Sequence, residues 1–98
     1  MCAPVVVNKY RDEYDVYIGR GSMWGNPIPI DDDNPRWIVI ERYREYLLDQ
    51  LSTGVITVQD FLDLKGKRLG CFCKPKDCHG DVIVEIYNTI VEMQNANR

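Results

Sequence analysis

Ninety-eight residues, 45% of them hydrophobic and 28% charged, suffice for one core but not for separate catalytic and regulatory modules, so a single domain over residues 1–98 is expected. A formal net charge of −3 argues against broad non-specific binding to nucleic acid, although a local basic cluster could still hold one phosphate group. Met1-Cys-Ala-Pro-Val-Val-Val7 is too short an apolar run for a signal peptide and no stretch reaches membrane-spanning length, so the reading is a cytoplasmic protein with reduced thiols and no membrane partner.

Pro4-Val-Val-Val7 is short and β-branched, which predicts a first strand buried on both faces beside the middle of a sheet. Val16-Tyr-Ile18 predicts a second strand. The stretch that follows, Gly19-Arg-Gly-Ser-Met-Trp-Gly-Asn-Pro-Ile-Pro29, is a structured loop, because its glycines and prolines forbid a regular element. It also carries recognition groups. Gly21 and its neighbours permit a nest of N–H groups around an anion, Arg20 can pair with a phosphate or carboxylate, Trp24 can stack on a planar ring, and Ser22 and Asn26 offer hydrogen bonds. The plainer alternative is a rigid connector whose tryptophan fills the core and whose arginine is solvated.

Asp31-Asp-Asp-Asn34 reads as a turn that caps the next helix, with Pro35 at the first helical position; its adjacent acids lack the alternating spacing of a calcium loop. Trp37, Ile40, Tyr43, Leu47 and Leu51 recur at helical spacing and predict an amphipathic helix whose aromatics pack. Gly54 is available as a left-handed cap, Thr57-Val-Gln-Asp60 has the form of a capping box, and Phe61, Leu62 and Leu64 would dock the short helix it starts. Residues 68–73 alternate as a short strand. Val82, Ile83, Ile86, Tyr87 and Ile90 then predict a helix from about residue 80 to residue 94. The order β, β, α, α, β, α describes a small α/β domain with a three- or four-stranded sheet and about three helices. If the strands run parallel, the loops after Ile18 and after Cys73 open at the same end of the sheet.

The stretch Arg68-Leu-Gly-Cys-Phe-Cys-Lys-Pro-Lys-Asp-Cys-His-Gly-Asp-Val82 holds three of the four cysteines and the single histidine. It delivers Cys78, His79, Gly80 and Asp81 to the start of a helix, where backbone N–H groups without intrahelical partners favour an anion or a thiolate. The four candidate groups Cys71, Cys73, Cys78 and His79 also suit zinc by type and number, but adjacent ligands at 78 and 79 converge poorly on one tetrahedral ion. A third reading makes the cysteines small buried hydrophobes at a strand–helix junction.

The pairing of Val16-Tyr-Ile-Gly-Arg-Gly-Ser-Met-Trp-Gly-Asn-Pro27 with the box from Leu64 to Asp81 resembles the domain-of-unknown-function family 4326, small proteins of bacteria, bacteriophages and other viruses. The resemblance spans nearly the whole chain and includes Tyr43, Tyr46 and Leu47. It implies a bacterial or viral cytoplasmic setting and one pocket built from both boxes, with Arg20, Ser22, Trp24, Asn26, Cys71, Cys73, Cys78, His79 and Asp81 at the matching positions. It implies no reaction.

The expectation is therefore a pocket for an anionic small molecule, such as a nucleotide, nucleoside or phosphosugar, needing no cofactor. Such a pocket could sequester its ligand, as in phage counter-defence, or transform it, with Cys78 as nucleophile, His79 as proton carrier and Asp81 orienting a hydroxyl or water. The alternatives are a structural zinc module or a host-inhibiting interaction domain without catalysis. A homo-oligomer that completes the pocket is compatible with each. On the pocket reading, Arg20→Ala and Trp24→Ala weaken ligand binding with modest loss of stability.

Overall fold

A computed structural model describes residues 3–19, 21–28, 35–71 and 79–96. In chain order these form β1 (Val5–Asn8), β2 (Val16–Tyr17), α1 (Arg36–Thr53), α2 (Val58–Leu62), β3 (Arg68–Cys71) and α3 (His79–Ala96). The three strands are parallel and lie in the order β1-β3-β2, with Val6 opposite Leu69 on one side of β3 and Val16 opposite Leu69 on the other. The fold is thus mixed α/β, with three helices and a three-stranded parallel sheet.

Parallel pairing sends the carboxyl ends of β2 and β3 to the same end of the sheet. The two strands are joined through α1 and α2, a long crossover of the usual kind. The link from β1 to β2 is different. Residues 9–15 alone carry the chain back across β3, where a parallel crossover ordinarily takes roughly a dozen residues and a helix. This short strap crosses the sheet face away from the helices, and the Tyr14 ring lies directly on Gly70: a Cβ at position 70 would stand 2.6 Å from Tyr14 Cγ. Only a glycine lets the strap pass so close. The strap is pinned at its end, where the Asp15 carboxylate accepts hydrogen bonds from the Arg68 backbone N–H at 2.8 Å and from Arg68 Nε at 3.2 Å. The side-chain bond to the Arg68 guanidinium is the main cause that holds the Asp15 carboxyl below its ordinary pKa.

On the other face Leu69 and Cys71 point to the helices and join one core with Ile18, Tyr43, Leu47, Ile56, Phe61 and Ile83. Gly80 brings α3 onto this face, since a Cβ there would stand 2.7 Å from Ile18 Cδ1 and 2.9 Å from a Val6 methyl. Arg44 of α1 bridges to α3, with its Nε 2.7 Å from Glu85 Oε2, and also holds Glu41 on its own helix. These hydrogen-bonded carboxylates raise its pKa further. Two of the capping expectations hold. Gly54 closes α1 in the left-handed conformation with φ 81, and Thr57 and Asp60 form a reciprocal capping box at α2.

Three expectations require correction. β1 is an edge strand rather than one buried on both faces, and Val5 is 53% exposed, because β3 takes the centre. Its valines reflect preference for extended backbone rather than depth. Pro35 is the N-cap of α1, with φ −64 and ψ 162, rather than its first helical residue, and makes no side-chain cap hydrogen bond; the capping turn expected at residues 31–34 lies outside the described residues. The buried stripe of α1 is Val39, Tyr43 and Leu47, spaced four apart; Trp37 lies about 120° around the helix from Tyr43 and is 69% exposed. Among the described residues no helix is long and apolar enough to cross a membrane.

Candidate functional site

Two segments far apart in the chain meet at the carboxyl end of the sheet: the turn that leaves β2 and the first turn of α3. β2 ends as the Ile18 N–H donates to the Gly70 carbonyl at 3.1 Å. Beyond it, His79 Nε2 lies 2.6 Å from the Ile18 carbonyl oxygen. A carbonyl can only accept, so Nε2 carries a proton, and in the neutral ring Nδ1 is then the nitrogen with the lone pair. This one contact orients the imidazole, selects its tautomer and ties α3 to the turn after β2.

Tyr43 of α1 connects the same two segments from below. Its hydroxyl donates to the Trp24 carbonyl at 2.7 Å, and its ring meets the His79 ring edge-on, with centroids 5.0 Å apart and planes at 81°. The helical spacing identified Tyr43 only as packing. The missed signal is its hydroxyl: a tyrosine with no exposed surface must find a partner, and here the partner belongs to the glycine-rich turn.

That turn is held largely by its own side chains. The Ser22 hydroxyl donates to the Gly19 carbonyl at 2.7 Å, and Asn26 Oδ1 accepts from the Ile28 N–H at 2.9 Å. Gly21 adopts φ 90, which only glycine takes without strain. Trp24 departs from its expected part as an exposed stacking platform. Its side chain is 3% exposed and packs edge-on against Phe61 with centroids 5.0 Å apart, so the indole fixes the turn to the core. Arg20 lies outside the described residues.

From the second segment, His79 and Asp81 are half-buried in the first turn of α3, and Gly80 is buried where the helix touches the sheet. Asp81 places negative charge at the positive end of the helix dipole, and so has a structural role as well as a candidate functional one. Cys71 closes β3 with 1% exposure inside the core cluster, the position of a small hydrophobe. Cys73 and Cys78 lie outside the described residues, so of the four expected zinc ligands only Cys71 and His79 are placed. The structure brings His79 and Gly80 to Ile18, and Tyr43 joins His79 to the Trp24 carbonyl. Asp81 lies to one side, lining with Trp37, Ile40 and Glu41 an open cleft of about 330 Å³ between the first turns of α1 and α3.

The arrangement has definite chemical capacities. A histidine held through Nε2–H in this way has Nδ1 as its acceptor nitrogen, the atom through which such a ring binds a metal ion. The imidazole stands in the first turn of an 18-residue helix, at the positive end of its dipole.

Comparison with known proteins bears on most of the chain. A family described as a domain of unknown function (DUF4326) matches residues 6–89, from β1 to well within α3 and through both segments of the site. An uncharacterised 12.4 kDa protein in the nrdA-td intergenic region of enterobacteria phage T4 is 44% identical over 85 residues, which cover 87% of this chain and 78% of that protein. No solved structure matches.

Proposed function

We propose, from the premise that this chain belongs to the DUF4326 family, that it binds a small anionic molecule of nucleotide, nucleoside or phosphosugar type where the 19–26 turn meets the first turn of α3. The observation that carries the reading is the 2.6 Å contact of His79 Nε2 with the Ile18 carbonyl, which brings two loop segments of separate origin together at the carboxyl end of a parallel sheet. Sites of open α/β sheets form at such ends. Arg20 and the positive end of the α3 dipole would supply attraction for an anion, and Gly21 would allow close backbone approach. Ser22 and Asn26 stabilise the turn and, on this reading, act through its shape.

The same pocket serves storage or turnover. In turnover Cys78 is the nucleophile, its thiol acidified at the helix terminus; His79 carries the proton on Nδ1, and Asp81 orients a hydroxyl or a water. In storage the ligand is withheld from other proteins, a use that suits a phage protein acting in the cytoplasm of its host. A second reading, zinc held by Cys71, Cys73, Cys78 and His79, gains support from the same tautomer, since a metal-bound histidine usually donates its other N–H to a carbonyl or carboxylate.

Thermal unfolding of the full chain with a panel of nucleotides and sugar phosphates tests the proposal. A true ligand at a hundred times its dissociation constant adds about 2.7 kcal/mol of stability. Absence of any shift across the panel rejects the pocket, and about one zinc per chain after purification without chelator moves the assignment to the metal reading. Recovery of the bound ligand intact after long incubation identifies storage; chemical change identifies turnover.

A further inference from the structure

Trp24, assigned to the core, is withdrawn as the ring platform of the candidate pocket. The molecule holds a second indole that is placed for the task. Trp37 is 69% exposed in the first turn of α1, and it lines with Ile40, Glu41 and Asp81 the open cleft of about 330 Å³ beside the first turn of α3. That volume is at the small end of ligand sites and admits a single nucleoside. Among the described residues the lining is also specific in kind. An indole and an isoleucine offer a flat apolar surface for a planar ring, while two carboxylates accept hydrogen bonds and repel a phosphate. Glu41 is fixed in place by Arg44, which Glu85 holds from the facing helix. A fixed acceptor suits a fixed pair of donors.

We infer that this cleft takes the base and ribose of a nucleoside, with the base stacked on Trp37 and the ribose hydroxyls donating to the Asp81 and Glu41 carboxylates. The acidic lining turns any 5′-phosphate away from the cleft and toward residues 79–80 and the 19–26 turn, where anion attraction was argued above. The inference rests on the proposed function for the phosphate half and adds the half that recognises the ring. It identifies the ligand class as a ribonucleoside or its monophosphate, against a phosphosugar, which has no base to stack.

The test uses the exposure of the two indoles. Adenosine, guanosine, cytidine, uridine and their 5′-monophosphates are titrated into the full chain while tryptophan emission is followed. Saturable quenching of the solvent-exposed component is expected, and Trp37→Phe abolishes the signal while the emission of buried Trp24 persists. In a parallel binding measurement Trp37→Ala weakens affinity roughly tenfold or more, the range for loss of one base-stacking ring, with the melting temperature of the free protein unchanged. Asp81→Asn narrows the preference for ribonucleosides over 2′-deoxyribonucleosides. No saturable quenching by any probe overturns the inference. So does a nucleotide that stabilises the chain equally with and without the Trp37 indole, a result that leaves the proposed pocket standing. Quenching by nucleosides with no gain from the 5′-phosphate supports the cleft and rejects the anionic half instead.

Discussion

The two tryptophans occupy opposite environments, each contrary to its neighbourhood in the chain. Trp24 comes from a glycine-rich loop and is 3% exposed; Trp37 comes from an amphipathic helix and is 69% exposed. The difference teaches that loop residues can be foundations and helix residues can be free surfaces, because burial is decided by what the fold brings opposite. Phe61 and the hydroxyl of Tyr43 lie against the Trp24 segment, whereas the face of α1 that carries Trp37 looks into an open cleft.

The largest expected effect that sharpens this contrast is in Trp24→Ala. Removing a ring from the core costs about 3–5 kcal/mol of unfolding free energy by denaturant titration, so the modest loss expected of a ligand platform gives way to a severe one. A loss below about 1 kcal/mol would return Trp24 to the surface. Tyr43→Phe keeps the ring that faces His79 but leaves the Trp24 carbonyl without its donor, a penalty of about 1–3 kcal/mol. If that variant matches the parent protein, the hydroxyl does not anchor the turn.

Asp15→Asn tests the amino end of β2 through pH. The folded carboxyl titrates below its ordinary value because Arg68 binds its charged form. The stabilisation is therefore complete above the unfolded carboxylate pKa, near about 4, and is lost as pH falls through the still lower folded value. The melting temperature of Asp15→Asn should lie slightly below that of the parent at neutral pH, with the gap closing in acid. A gap that widens in acid would contradict the sign. The smallest expected effect is in Trp37→Ala, which should change stability by no more than about 0.5 kcal/mol, as for other surface substitutions. A larger loss would show that its indole packs.

Local chemistry made much of this fold legible. Alternation located β3 from Arg68, the 82/83/86/87/90 spacing placed the start of α3 within a residue of its observed position, and Thr57 with Asp60 announced α2. Phase and depth were not legible. Trp37-Ile-Val-Ile40 is apolar at four successive positions and cannot say which of them faces inward. The three valines of β1 announce a strand but not its place in the sheet. The strap at residues 9–15 and the Tyr14–Gly70 contact that lets it pass depend on a crossover no local pattern encodes. At the site, the meeting of the two boxes followed from parallel strand order, but the link itself, His79 to the Ile18 carbonyl with Tyr43 beneath, joins residues with no shared motif.

The measurement that tests the central claim most directly is the ¹⁵N spectrum of the imidazole, which is unambiguous because the chain has a single histidine. The account predicts a ring protonated on Nε2 at neutral pH, with that proton slow to exchange and in close contact with Ile18. A neutral ring protonated on Nδ1 alone, with Nε2 bare, or one whose Nε2 proton exchanges freely with water, would contradict the joining of the two segments.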